Sequence, residues 1–399
     1  MRDVKAVILA AGHGTRLWPL SESMPKVLIS IGNRPIIDYV VDALVANSIK
    51  DIAVVVGYHK EAIMTHLGDG SQRGIKITYY QQNRPLGTAH ALLCARPFLD
   101  EPFLVVPGDN LIDRQVVKDA LEASSGNVLV LTRSNMSSEY GVVTTHGKRV
   151  VNIMEKPKNS SANVISTGIY LLQPEILPML EMELSQGING ISSAVAKNLE
   201  RIDLEGVMTR GEWRDAIYPW DILHMNSRAM DFRGQTVLGN LEEGVTLKGP
   251  VHIGKGTRIR SGCYIEGPVH IGEGCDIGPF VSVFPGTSIG NEVQVDPYSL
   301  ISGSVVYDAV SVGSHCHLSR SLVGRNTTLS SSCHMDSGPA QIVSGGNLFP
   351  QEDIGAIIGP GSHFEAGVTV RPGIMVGNGC RVHAGATLRE NLRSRTEAF

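Results

Sequence analysis

The stretch V-H-I-G-K-G-T-R-I-R-S-G-C-Y-I-E-G-P-V-H-I-G, residues 251–272, decides the fold of the second half of the chain. V-H-I-G stands at 251 and again 18 residues on, with Ile253, Ile259, Ile265 and Ile271 at every sixth position. Extended in both directions, the spacing takes in Leu241, Leu247, Ile277, Val283, Ile289, Val295 and Ile301. A period of six fits neither the turn of a helix nor the alternation of a hairpin. It fits three short strands per coil, each apolar side chain stacking on its counterpart one coil below: a hexapeptide parallel β-helix. The period returns at Ile358, Phe364, Val370, Val376, Val382 and Leu388. Over 302–357 the register breaks, and an excursion from the coil is expected there. Of the 44 glycines, 25 lie beyond residue 240, where tight corners require them.

Before residue 230 the grammar is different. Apolar runs at 4–11, 51–56, 76–81 and 102–107 read as buried strands, and 36–46 and 88–95 as helices between them. The alternation predicts a Rossmann-like α/β fold with a mostly parallel sheet over 1–230, a linker over 231–240 and the β-helix over 241–399. In such sheets ligands sit beyond the carboxyl ends of the strands. Bulk properties narrow the function. The 399 residues leave room for two cores, and a net charge of -4 with 19% charged residues gives no basic excess for nucleic acid. No apolar run approaches the ~20 residues of a membrane span. The first run continues into G-H-G-T-R and reads as a core strand, not an export signal. Six cysteines without a C-x-x-C pair point to reduced thiols and a cytoplasmic protein.

The first run leads into L-A-A-G-H-G-T-R-L-W-P-L-S-E-S-M-P-K, residues 9–26. A dinucleotide fingerprint would need glycine at position 17, where Leu17 stands, and the other Gly-rich phosphate loop does not fit either. What remains is a glycine turn with Arg16 and Lys26 after it. Further on, Gln82 precedes Gly87 in Q-N-R-P-L-G-T-A-H-A, and a side-chain amide can both donate to and accept from a base edge. V-V-P-G-D-N puts Asp109 at a strand end, as a helix cap or as a ligand. W-R-D-A-I-Y-P-W offers Asp215, and two carboxylates are a usual protein share of a Mg²⁺ site. Y-G-V-V (140–143), M-E-K-P (154–157) and S-T-G-I-Y (166–170) lie between.

In this order the motifs resemble the sugar-1-phosphate nucleotidylyltransferases, over residues 4–230. Every defined position of that family's L-x-x-G-x-G-T-R-L-x-P-L-[TS]-x-x-x-P-K is filled. The resemblance implies that Ala11, Gly12, Gly14 and Thr15 hold a nucleoside triphosphate, with Arg16 and Lys26 as the catalytic cations. It implies Gln82, Gly87 and Thr88 at the base, and Mg²⁺ on Asp109 and Asp215. Gly141, Glu155, Lys156 and Thr167 would line the sugar phosphate. Glutamine at 82 resembles the uridylyl and thymidylyl branches, and L-G-T-A-H-A the branch that uses UTP and N-acetylglucosamine 1-phosphate. A thymidylyl- or uridylyltransferase acting on glucose 1-phosphate stays open. So does a non-catalytic regulatory subunit, although a scaffold has no need of Arg16, Lys26, Asp109 and Asp215 together.

An α/β half followed by a hexapeptide β-helix resembles the bifunctional enzymes that also acetylate glucosamine 1-phosphate from acetyl-CoA. That family's left-handed β-helix carries a histidine in H-L-[ST]-Y. Here His317-Leu318-Ser319 is followed by Arg320, the G-A-G-T segment is replaced by S-S-S-C-H-M, and no lysine follows Lys255. Asn347 is the candidate for the family's asparagine. The expectation is a trimerisation and docking platform, with acetyl-CoA as a further substrate only if the second half is active. His315, Cys316, Cys333 and His334 also bunch at the 18-residue coil spacing, as a Zn²⁺ site would require, but strand neighbours face opposite sides. The last dozen residues read as an exposed tail.

Overall fold

The computed structural model describes residues 4–123, 126–134, 137–157, 162–230 and 234–399. Two compact units divide it: one takes in the chain up to His13 and Ile36–Asp215, the other Gly14–Pro35 and Ala216–Phe399. The opening loop after His13 and the helix Pro219–Ala229 therefore pack with the coil, whereas the sequence puts both in the α/β half.

In the first unit the strands Lys76–Gln81, Asp51–Val56, Lys5–Ala10 and Phe103–Pro107 lie side by side and parallel, in that order. Val164–Leu172 runs antiparallel beside Phe103–Pro107, and Asn127–Arg133, Leu204–Met208, Arg149–Glu155 and Gly141–His146 complete the sheet. The observed strands match the apolar runs to within a residue at each end. Helices cover the sheet, so its strands are apolar on both faces; Ala6, Val7 and Ile8 are all fully buried. Chain order reverses between Lys5–Ala10 and Phe103–Pro107. At such a switch point the two strand ends diverge and leave a crevice.

In the second unit the coil is built as the period predicts. Three parallel ladders run its length, and Val251–Ile253 lies in register under Val269–Ile271, then Thr287–Ile289. Ile253, Ile259, Ile265, Ile271 and Ile277 are fully buried inside it. Each stacks on an identical or similar side chain, and each buried aliphatic group contributes about 1.5–3 kcal/mol. The ladder reaches back to Gln235–Val237, inside the expected linker, while 231–233 lie outside the described residues.

The expected excursion is shorter than the broken register implied. Coiling continues to Met335, because two corners are each one residue short: Val305 pairs with Ser288 and Leu322 with Val305, 17 residues apart. Trimming a corner preserves the strands on either side of it. Only the antiparallel hairpin Gly338–Ser344 with Asn347–Ile354 leaves the coil. The C-terminal residues are not a loose tail either: Glu397 pairs with Arg381, and Leu392 bridges Val376. Among the described residues, no helix is long and apolar enough to cross a membrane.

Candidate functional site

The carboxyl edge of the parallel strands collects what the sequence singled out in the first unit. Ala11 and Gly12 follow Lys5–Ala10, Gln82 follows Lys76–Gln81, and Gly108-Asp109 follows Phe103–Pro107, the Gly108 N–H bonding to Leu9 O at 2.9 Å. Nothing lies within 4 Å of where a Gly12 Cβ would stand, so packing does not demand glycine there. The open backbone there leaves room for a ligand to approach.

Asp109 caps no helix. That role belongs to Asp113, whose Oδ1 accepts from Gln115 N (3.0 Å) and Val116 N (3.2 Å). Asp109 lies instead in the turn before Asn110–Ile112, which pairs antiparallel with Trp213–Asp215 so that Asp215 stands opposite Asn110. Trp213 Nε1 donates to Asn110 Oδ1 at 3.1 Å, and Asn110 Nδ2 donates to Asp215 Oδ1 at 3.1 Å. Asn110 is thus locked by the indole and orients one Asp215 oxygen. Both aspartates are half-buried. They offer the hard, anionic oxygens that suit Mg²⁺.

Gln82 is nearly buried, 7% exposed, and its Nε2 donates to Gly87 O (3.0 Å) and His90 Nδ1 (2.9 Å). Gly87 has φ +94°, and a Cβ there would lie 2.4 Å from Asn189 O, so no other residue fits. Thr88 opens the helix Thr88–Cys94 and its Oγ1 accepts from Ile191 N at 3.0 Å, pinning that loop.

Gly141 and Glu155 are cross-strand partners, and a Gly141 Cβ would stand 3.0 Å from Glu155 Oε2. Desolvation pushes the Glu155 carboxyl up, against the opposing pull of Lys156. Thr167 lies on the neighbouring strand Val164–Leu172. It is buried, its hydroxyl donating to Val130 O (2.8 Å) and accepting from Ile169 N (3.2 Å). It holds the irregular register between Ser166 and Tyr170, which leaves its hydroxyl no proton to donate to a sugar phosphate.

Gly14, Thr15, Arg16 and Lys26 belong to the second unit. Gly14 has φ +65°, and a Cβ there would meet Lys26 Cβ at 2.9 Å. This glycine serves a left-handed turn and a close contact, unlike Gly12. Arg16 lies in the exposed turn Thr15–Leu17, whose Leu17 is buried.

In the coil the Cys/His quartet does not converge, in keeping with strand neighbours facing opposite sides. Cys316 and Cys333 point into the core, 2% and 0% exposed, and the Cys316 thiol beside it, together with burial, pushes the Cys333 thiol up. His315 sits at a corner, stacked on Tyr298. Alternation along the strand turns His317 and His334 outward instead, and both gather with Asp336. His317 Nδ1 lies 2.9 Å from Asp336 Oδ1. Arg320 is held at the hairpin base by Asp353, with Nε 3.1 Å from Oδ2. Asn347 is at the hairpin turn, paired with Ser344, and not on the coil strand that carries His317. Asn110, His90 and Asp336 join the candidate residues from the structure alone. Of these only Asp336 has a findable signal in the sequence, two residues after a histidine that stacks one shortened coil above His317.

A family profile for nucleotidyl transferases matches residues 5–228, more than half of the chain. The chain belongs to this family. Profiles of the bacterial transferase hexapeptide, six repeats, match 243–285 and 355–390. The chain is 30% identical to a Methanococcus maripaludis protein named bifunctional protein GlmU, over 99% of this chain and 97% of the relative. It is 28% identical to a glucose-1-phosphate thymidylyltransferase of Streptomyces antibioticus, over 83% and 95%. A solved Bacillus anthracis structure, assigned as a glucose-1-phosphate thymidylyltransferase in complex with sucrose, superposes with a TM-score of 0.54 at 27% identity, covering 58% of this chain and 97% of that one. Family and relatives together support a sugar-1-phosphate nucleotidyltransferase enzyme, followed by a hexapeptide β-helix.

Proposed function

We propose that the protein transfers the uridylyl group of UTP to N-acetylglucosamine 1-phosphate, releasing pyrophosphate, and that the reaction depends on Mg²⁺. The observation that carries this is the register pairing Asp215 with Asn110, at the strand edge that also bears Gly12, Gln82 and Asp109. A non-catalytic subunit has no use for that arrangement. Uridylyl rather than thymidylyl transfer, and the N-acetylated sugar rather than glucose 1-phosphate, rest on the resemblance of Gln82 and L-G-T-A-H-A to the branch that uses UTP and N-acetylglucosamine 1-phosphate.

A sugar-phosphate oxygen attacks the α-phosphorus and pyrophosphate departs from the opposite side. The attacking group is already an anion, so no side chain need become a nucleophile. Bringing two polyanions together is the main obstacle: unit charges ~4 Å apart repel by about 4 kcal/mol at an effective dielectric near 20. Arg16, Lys26 and Lys156 offset that repulsion and charge building on the leaving group. Asp109 and Asp215 would hold Mg²⁺, which when bound adds positive charge on the phosphates. Gly141, Glu155 and Lys156 would face the sugar phosphate, and Gln82 with Gly87 the base. Positioning and electrostatics then suffice. The setting is cytoplasmic, and the coil assembles copies of the chain into a homo-oligomer.

The test is pyrophosphate release with Mg²⁺, crossing UTP, dTTP and GTP against N-acetylglucosamine 1-phosphate and glucose 1-phosphate. Turnover confined to UTP and the N-acetylated sugar is expected. Turnover only with glucose 1-phosphate would replace the substrate, and a folded but silent protein would favour a regulatory subunit.

The His317–Asp336 pair favours a second reading for the coil. A carboxylate on Nδ1 orients the ring and leaves Nε2 to accept a proton, the arrangement of a general base. With glucosamine 1-phosphate, His317 would take the amine proton as nitrogen attacks the acetyl-CoA thioester and the thiol leaves. Free thiol should appear with those two substrates and be lost in His317→Ala; no thiol from the wild-type protein would reduce the coil to a platform.

A further inference from the structure

We infer that His90 is a positioning residue that fixes which end of the Gln82 amide meets the base, and so selects bases presenting an imide N–H over those presenting a bare ring nitrogen. The inference rests on the reading that Gln82 contacts the base.

Gln82 continues the Lys76–Gln81 strand, its own N–H bonding to Val56 O at 2.8 Å, so the start of the side chain is set by the sheet. The side-chain nitrogen lies 3.0 Å from Gly87 O, a carbonyl that can only accept. That carbonyl favours the rotamer with the amide nitrogen on its side, by one hydrogen bond. The second amide proton points to His90 Nδ1 at 2.9 Å, which makes Nδ1 the unprotonated ring nitrogen and leaves the proton on Nε2. With both protons used, Oε1 is the polar atom left, and it has no hydrogen-bond partner among the described residues.

An amide held this way can only accept. Uracil and thymine carry an N–H at ring position 3, which donates; cytosine carries a lone pair there and would face a second acceptor. A site built around a buried hydrogen-bonding group rejects a partner that leaves it unpaired. Gly87 alone does not give this selectivity. Without an acceptor at position 90, the second amide proton has no partner in a nearly buried setting, and rotation of the amide toward a cytosine-type edge becomes competitive. Gly87 O cannot shift to compensate, because Asn189 O holds Ala89 N at 2.9 Å and crowds Gly87.

The test is calorimetric binding of UTP and CTP with Mg²⁺ to the full-length protein and to His90→Leu, His90→Asn and Gln82→Leu. Asparagine puts an acceptor oxygen where Nδ1 stood, and leucine removes it. His90→Leu is expected to weaken UTP about five-fold, the effect of one hydrogen bond, and to narrow the UTP-over-CTP ratio by at least as much. His90→Asn should restore both. An unchanged ratio in His90→Leu, with UTP lost in Gln82→Leu, would overturn the role of His90 and leave the base reading standing. His90→Asn behaving as His90→Leu would also overturn it, since a packing role is indifferent to the acceptor. Unchanged UTP affinity in Gln82→Leu would remove the base reading itself. If the leucine variant does not fold, His90→Phe keeps a ring without the acceptor and is read in the same way.

Discussion

Inside the coil, Ile265 lies between Leu247 below and Val283 above, in register, and the next residue of the column has Ile265 below it and Ile301 above. In the α/β unit, Asp215 takes its partner from Asn110, 105 residues away, and Asn110 takes its own from Trp213. The first kind of environment repeats, and a change to one rung leaves the next intact. The second is built once, from residues whose only common property is where the chain returns. A single substitution there has no neighbour to compensate for it.

The sharpest break in that comparison is Asp109→Asn. Turnover with Mg²⁺ should fall by about 10²–10³-fold, as when one preorganised electrostatic group is lost, while circular dichroism stays that of the native fold. Normal turnover would remove Asp109 from the metal site.

Asn226 is the coil unit's own exception to repetition. Fully buried, it accepts from Gly32 N (2.8 Å) and Ser288 Oγ (2.7 Å) and donates to Gly286 O (3.0 Å). Asn226→Ala removes the partner of two buried groups, the Gly32 N–H and the Ser288 hydroxyl, and of the half-buried Gly286 carbonyl, and should destabilise the unit by about 3 kcal/mol. A melting temperature equal to wild type would show that water replaces the amide without loss.

His270 tests the same unit through pH. Burial, and then the neighbouring His252, lower its pKa to about 4, against a hydrogen bond with the Gly32 backbone that raises it. The unfolded chain binds a proton near pH 6.5 that the folded one refuses. Stability therefore falls as pH drops from about 6.5 to about 4, by roughly 3 kcal/mol, and is flat on either side. His270→Gln should lose that slope in denaturant titrations at several pH values; an unchanged slope would assign it to other groups.

The smallest effect is expected at a corner. Phe280 takes φ +58° where the coil below has Gly262, and it stacks on Tyr298 with ring centroids 5.4 Å apart. Phe280→Gly relieves left-handed strain and loses the stack, two terms of about 1 kcal/mol with opposite signs. A melting shift equivalent to more than ~2 kcal/mol would mean that the stacked corner residues are not interchangeable with glycine.

The coil is legible in the sequence because its information is local and repeated. Ile253, Ile259 and Ile265 declare their inward direction by spacing alone, and Cys316 beside His317 declares that the two face opposite ways. The shortened corners hide the continuation past residue 302, since removing one corner residue shifts the written period without disturbing the stacked strands. The α/β half is readable as an order of strands, and its motifs name Gly12, Gln82 and Asp109 by type. The motif around Thr167 does not reveal that its hydroxyl turns to Val130 O.

By itself, then, the sequence determined the two kinds of architecture, the inward column of the coil and the residue types of the site. Apolar spacing acts through burial, and burial is decided over a few residues at a time. Only tertiary structure decided that Gly14–Pro35 packs with the coil, that Asn110 orients Asp215, that His90 holds Gln82 and that Asp336 meets His317. Those are hydrogen bonds and contacts between segments that no period connects. Their geometry exists only once the sheet order and the coil register have brought the partners within about 3 Å.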